Sequence, residues 1–227
     1  MELIETKLDQ LQDKVVDLVS LVKSQVQKSK EALLNQDEDL ADAVILADEE
    51  VDEADVKINQ NCEQVLALFN PVAIDLRLIL TSIKISLSLE RIGDHAEGIC
   101  YSLKEIPHDF DPQYFEAFRI AEMFETAELM LEDFSQALKN KDLKLAKGIY
   151  KKDRFLNKAY AKSVKTAAKL IKQDVTKVKT IIQLLSVVRK IERMGDLTKN
   201  MSLEVIFHLT GKFPKRKPKG KKNKPSE

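Results

Sequence analysis

Apolar residues recur at three- and four-residue steps through most of the chain: Leu3 to Leu34, Leu40 to Phe69, Val72 to Leu103, Tyr114 to Leu138, Leu143 to Ile171 and Val175 to Leu209. That spacing lines one face of an α-helix, so it predicts six helices of about 25 to 33 residues and no sheet. Breaks fall where helix stops are expected, at "NQDED", "NP", "PHDFDP", and Gly211 followed by Pro214. The 227 residues are 44% hydrophobic and 33% charged, with six glycines, six prolines and no tryptophan, a composition that suits a helical chain able to bury one or two cores.

The helices come in two sets of three. "ALLNQDEDLADAVILAD" from Ala32 aligns with "ALKNKDLKLAKGIYKKD" from Ala137 at an offset of 105 residues, and "LERIGDHAEGI" from Leu89 aligns with "IERMGDLTKNM" from Ile191 at an offset of 102. The expectation is an all-α fold of two tandem antiparallel three-helix bundles, residues 1–107 and 108–211, followed by a disordered Lys/Pro-rich tail over 212–227. The tail holds eight Lys/Arg and one acid, leaving 29 bases and 36 acids in the body. Such a segment cannot bury enough apolar area to offset its ordering entropy. It reads as a solubiliser, or as a site of attraction to anionic lipid, nucleic acid or an acidic partner.

No run of about 18 uncharged apolar residues occurs. The acidic start "MELIETKLDQ" lacks the basic and apolar regions of a signal peptide, so the expected location is cytoplasmic. Cys62 and Cys100 match no metal or redox spacing and read as small core residues.

The residues with chemical character are acids. On the third helix Ile85, Leu89, Ile92, Ala96, Ile99 and Leu103 form one stripe, with Glu90, Asp94 and Glu97 pointing away from it, outward. On the second helix Asp48, Asp52 and Asp55 follow a row at the rim of the apolar stripe. A hairpin at Asn70-Pro71 sets Asp48 level with residue 92 and Asp52 with residue 88, beside Glu90 and Asp94. In the second copy a turn near Asp174 sets Asp153 level with about residue 195 and Asn157 with about 191, beside Glu192 and Asp196. Asn200 is a further neutral donor there.

Gathered carboxylates repel, so a cation is expected among them. Lys or Arg can supply it as a solvated ion-pair face: Arg91 lies near Asp94, Arg189 and Arg193 lie three residues before Glu192 and Asp196, and Lys199 lies three after Asp196. A metal can supply it too. Carboxylates without clustered His or Cys suit oxygen-preferring ions, namely Mg²⁺, Ca²⁺, Mn²⁺ or iron, with zinc a further candidate on oxygen ligands. The candidate ligands are Asp48, Asp52, Asp55, Glu90 and Asp94 in the first copy, the richer in charge, and Asp153, Asn157, Glu192 and Asp196 in the second. Gly93 and Gly195 each cost about 1 kcal/mol inside a helix relative to alanine, which suggests a close approach by an ion or by backbone.

Two enzyme readings compete. A ferritin-like di-metal oxidase needs Glu-x-x-His on inward faces, and the one such pair, Glu105 to His108, is broken by Pro107. A metal-dependent phosphatase is compatible with the carboxylates but lacks a general acid, and the chain has neither a glycine-rich phosphate loop nor a nucleophile with an adjacent base. His95 and His208 are not expected as ligands.

"PVAIDLRLILTSIKISLSLERIGDHAEGI" from Pro71 and "VVRKIERMGDLTKNM" from Val187, set in a duplicated six-helix frame, resemble the PhoU family of phosphate transport accessory proteins over residues 1 to about 211. The family's acidic E(D)xxxD motifs, which hold metal ions on the bundle surface in some members, match Asp48 with Asp52, Glu90 with Asp94, and Glu192 with Asp196, while Asn157 departs from the pattern. The resemblance implies a regulator and no catalytic step. Its implied role is negative control of phosphate uptake and of the phosphate-starvation response. The implied partners are the ATPase subunit of a phosphate ABC transporter and a phosphate-sensing histidine kinase, met at the inner membrane surface. A homodimer is a further expectation, and nucleic acid is not an expected partner. Asp75 and Arg77 in "DLR" also match the family and read as an ion pair at a helix end.

Overall fold

The computed structural model describes residues 2–107 and 111–212, and those residues contain helices and no strand. Helix α1 spans Glu2–Asn35, α2 Glu38–Phe69, α3 Ala73–Lys104, α4 Gln113–Phe118, α5 Ile120–Lys139, α6 Leu143–Gln173 and α7 Val178–Thr210, with a 3₁₀ turn at Val175–Lys177 before α7. The tail expected over 212–227 lies, beyond Lys212, outside the described residues. Among the described residues no helix is long and apolar enough to cross a membrane.

The repeat is visible in the caps. Asp37 accepts a hydrogen bond from the Leu40 N–H at 2.9 Å, and Asp142, its counterpart 105 residues on, accepts from the Leu145 N–H at 3.0 Å. The caps satisfy orphan donors of a helix start, one at Asp37 and two at Asp142, which also accepts from the Lys144 N–H at 2.8 Å, an effect of about 1 kcal/mol per cap. Just before them Gln36 and Lys141 take left-handed φ values of 55° and 54°, ending α1 and α5 alike.

The fourth helix departs from expectation. Arg119 takes a φ of 58°, donates its N–H to the Glu116 carbonyl at 2.9 Å, and divides the predicted Tyr114 to Leu138 helix into α4 and α5, giving seven helices rather than six among the described residues. Its guanidinium stacks over the Phe155 ring at 4.8 Å and donates from Nε to Glu122 at 2.9 Å. Apolar spacing carries no trace of this break, because the anchor is 36 residues away in sequence.

Helices α1, α3, α5 and α7 form the centre, while α2 and α6 pack on the outside against helices of their own halves. The third helix runs antiparallel to the seventh: Lys84 pairs with Glu204 at 3.2 Å near one end and Glu105 with Lys179 at 3.0 Å near the other. Lys23 with Glu132 and Lys30 with Glu128 tie α1 to α5 in the same antiparallel sense. Equivalent helices of the two halves therefore face one another, and one continuous apolar core runs from Leu8 to Ile206. Phe118, Phe124 and Phe134 are its largest fully buried side chains, each contributing on the order of 2 to 3 kcal/mol.

Two expectations about single residues change. Arg77 makes no ion pair with Asp75; its Nε donates to the His208 carbonyl at 3.2 Å, satisfying an acceptor at the C-terminal end of α7. Gly211, beside that guanidinium, ends α7 with a φ of 68°. Cys62 and Cys100 are buried, and burial pushes both thiols up to about 12.

Candidate metal-binding site

The two acidic rows meet. Asp48 on α2 feels the charges of Asp52 and Asp94, while Glu90 on α3 feels Asp94, Asp52 and Asp55. Glu97 on α3 feels Asp48, Asp94 and Asp52. Burial comes first and these charges second in pushing the carboxyls of Asp48, Glu90 and Glu97 above the ordinary range.

The acids do not all point outward, as their angle from the apolar stripe suggested. Asp48 is buried and Glu90 and Glu97 half-buried, with only Asp52 and Asp94 of the first copy's inner acids exposed. The angular argument considers one helix and its hairpin partner, whereas α1 closes over a further side. From α1 the buried Gln25 donates from Nε2 to Asp48 Oδ1 at 3.0 Å. That residue escaped sequence reading although its signal was there, a polar side chain in line with Leu18, Val22 and Val26. Asp55, about two turns beyond Asp48 along α2, accepts from Asn59 Nδ2 at 3.0 Å.

Gly93 serves this junction. A Cβ there would stand 2.9 Å from Asp48 Oδ1, 3.0 Å from Gln25 Oε1 and 3.2 Å from Val51 Cγ1, so the close approach is made by side chains of α1 and α2 rather than by backbone. At Gly195 the intruder is Leu156, whose Cδ1 would lie 2.2 Å from a Cβ.

The second cluster is built around a lysine. Lys199 Nζ donates to Asp153 Oδ2 at 3.0 Å and also bonds Asp196 Oδ1. Burial opposes the Lys199 charge, yet these two carboxylates hold the ammonium above its ordinary value. Burial and then Asp196 push the Glu192 carboxyl up. Arg193 reaches Glu192 only at 4.0 Å, and Arg189 makes no ion pair among the described residues, so the neutralisation expected from the arginines comes from Lys199 instead. Asn157 is exposed and donates from Nδ2 to the Asp153 carbonyl, along its own helix, at 3.0 Å. Asn200 is exposed and lines a groove between α3 and α7 that Asp196 also borders.

The donor set of the first cluster fits a hard cation better than that of the second. Glu90 Oε2 and Gln25 Oε1 in the first cluster, and Asp153 Oδ1 in the second, are buried oxygens with no hydrogen-bond partner among the described residues, but no lysine bridges the first cluster's acids as Lys199 bridges the second's. Buried acceptors without donors cost about 1 to 3 kcal/mol each, which a positive charge would offset. As the side chains stand, no three His, Cys, Asp or Glu residues among those described converge as metal ligands do. The first cluster is gathered but not closed, with Asp52 and Asp94 exposed at its edge. His95 faces the groove rather than this cluster, and His208 is buried, with its ring held below the ordinary value by desolvation.

Comparison with known proteins bears on the duplicated helical frame. The PhoU domain family matches the chain twice, over residues 15–103 and 120–205. The phosphate-specific transport system accessory protein PhoU homolog of Clostridium acetobutylicum is 30% identical over 216 residues, covering 93% of this chain and 96% of that protein. The PhoU of Escherichia coli strain K12 is 29% identical over 206 residues, covering 90% of this chain and 84% of its own. The crystal structure of the phosphate transport system regulatory protein PhoU from Streptococcus pneumoniae superposes with a TM-score of 0.83 at 23% identity, covering 94% of this chain and 100% of that one. That of PhoU from Pseudomonas aeruginosa gives 0.84, also at 23% identity, covering 92% of this chain and 99% of that one. With two matched domains that between them take in both acidic clusters, the chain belongs to the PhoU family.

Proposed function

We propose that this chain is a negative regulator of phosphate uptake and of the phosphate-starvation response, acting as an adaptor between the ATPase subunit of a phosphate ABC transporter and a phosphate-sensing histidine kinase. The observation that supports this reading is extent: relatives named as accessory proteins of phosphate-specific transport align over 93% and 90% of the chain. Contact with the membrane in this reading is peripheral, at its cytoplasmic face.

The first cluster has the residues to hold an oxygen-liganded cation, with Asp48, Asp52, Glu90 and Asp94 as ligands and Asp55 at the margin. Such an ion supplies positive charge where the acids otherwise repel. Gln25 orients the Asp48 carboxylate, and Gly93 leaves room for both side chains against α3. The second cluster reaches a similar balance through Lys199. The work is done by binding rather than by bond making; both cysteine thiols, pushed up to about 12, are poor nucleophiles.

Deletion of the gene in its own host tests the regulatory reading. Phosphate-starvation genes should stay switched on in phosphate-rich medium, and a plasmid copy should restore repression. Normal repression in the deletion strain, with no paralogue present, would sink the reading.

A further inference from the structure

Between α3 and α7, where the two halves meet, lies an open groove of about 480 Å³ with a character opposite to that of the acidic clusters. Arg91 from α3 and Arg189, Lys190 and Arg193 from α7 line it, together with His95. Asp94 and Asp196 also line the groove, and Asp196 is already bonded to Lys199. Among the described residues Arg91, Arg189 and Lys190 have no carboxylate within ion-pair distance, and Arg193 has only Glu192 at 4.0 Å.

Lys190 is the informative residue. Its Nζ donates to Ser102 Oγ at 2.9 Å and to Ser186 Oγ at 3.0 Å, two neutral hydroxyls, leaving one of its three N–H donors unused. The side chain is half-buried, and Gly98 gives its stem passage: a Cβ there would stand 2.8 Å from Lys190 Cε. A cation taken from water with only neutral hydroxyls as partners is unfavourable. The halves are thus pinned together by a charge whose natural complement is an anion.

We propose that this groove is a binding site for a small phosphate-bearing anion, held by the guanidinium groups of Arg91, Arg189 and Arg193 and by the free N–H of Lys190. Guanidinium forks match phosphate oxygens in pairs, and a phosphate near neutral pH carries the multiple negative charge that four cations call for, as a monocarboxylate does not. The groove falls within the volume range of small-ligand sites, large enough for a nucleotide as well as for inorganic phosphate. The groove adjoins the acidic clusters at Asp94 and Asp196, and the proposal does not rest on the regulatory or the metal reading.

Titration calorimetry on the full chain, stripped of metal with EDTA, tests this with inorganic phosphate, ATP and acetate as probes. Phosphate, ATP or both should bind with one site per chain, and acetate should not. Tighter binding of phosphate assigns the free ion, and tighter binding of ATP a nucleotide. The double variant Arg189→Glu with Arg193→Glu, at two exposed positions, should weaken that binding at least about tenfold, or 1.4 kcal/mol. Lys165→Glu with Lys169→Glu makes the same charge change on the exposed face of α6 and should alter it less than about twofold. Absence of binding by the unmutated chain, or equal weakening by the two double variants, overturns the proposal.

Discussion

Asp48 and Asp153 hold equivalent places in the two halves, yet the first accepts its hydrogen bond from the neutral amide of Gln25 and the second from the ammonium of Lys199, each at 3.0 Å. One cluster therefore carries its own cation and the other does not. Metal should follow the difference. Glu90→Ala with Asp94→Ala is expected to remove most of the metal that survives dialysis, and Glu192→Ala with Asp196→Ala much less, as read by elemental analysis of both proteins. Equal losses, or a metal-free unmutated protein, would contradict this.

The same asymmetry predicts what loss of the lysine does. Lys199→Gln leaves Asp153 and Asp196 facing each other with Glu192 alongside, a partly buried cluster stripped of its counter-charge. In EDTA the variant should lose about 2 kcal/mol or more of unfolding free energy, below the loss typical of breaking a fully buried pair. Added Mn²⁺ should restore part of it. Denaturant titrations with and without the metal measure both effects, and a variant as stable as the parent in EDTA would show that the lysine is dispensable.

Glu90 gives a pH dependence whose sign can be worked out. Burial, then Asp94 and its neighbours, raise its folded pKa above the unfolded value, so ionising it weakens the fold. The penalty is absent below about pH 4, where the unfolded carboxyl is protonated too, and grows as pH rises toward the folded value. Glu90→Gln removes it and should melt about 2 to 4 °C above the parent at pH 7 in EDTA, with the gap closing toward pH 4. The comparison must be made against the parent at each pH. Burial holds His95 and His208 below their ordinary values, and they act the opposite way as pH falls below about 6.5. A gap of the same size at both ends of the range would point to packing rather than charge.

Two glycines should respond oppositely to the same change. Alanine gains about 1 kcal/mol over glycine inside a helix. At Gly148 an added Cβ meets nothing within 4 Å, so Gly148→Ala should show most of that gain in urea unfolding. At Gly93 it would press on Asp48, Gln25 and Val51, and overpacking of about 1 to 3 kcal/mol should make Gly93→Ala a net loss. A stabilised Gly93→Ala would mean that the Gln25–Asp48 bond yields easily.

The long apolar stripes were legible because burial in a bundle follows helical periodicity directly: Ile85, Leu89, Ile92, Ala96, Ile99 and Leu103 are all buried. The meeting of Asp48 with Asp94, and of Asp52 with Glu90, was legible because a tight turn at Asn70 fixes hairpin register. The second hairpin keeps the same register despite the 3₁₀ turn at Val175–Lys177: Leu156 against Gly195 repeats Val51 against Gly93, and Asp153 lies with Asp196 and Glu192. Gln25 and the Arg119 break depend on helices distant in sequence, and no local pattern carries that information.

The paired packing of α3 with α7 and α1 with α5 bears on how the molecule comes apart. A duplicated chain invites the picture of two beads that melt separately. Here the inner face of each half is the other half's solvent shield, and ionic pairs at Lys84, Glu105, Lys23 and Lys30 cross the divide. Opening one half would wet the apolar surface of its twin, so neither is a free-standing folding unit. The cooperative unit should then be the whole described body, with a single melting event expected, and a cut between α3 and α4 should leave two sticky fragments instead of two small proteins.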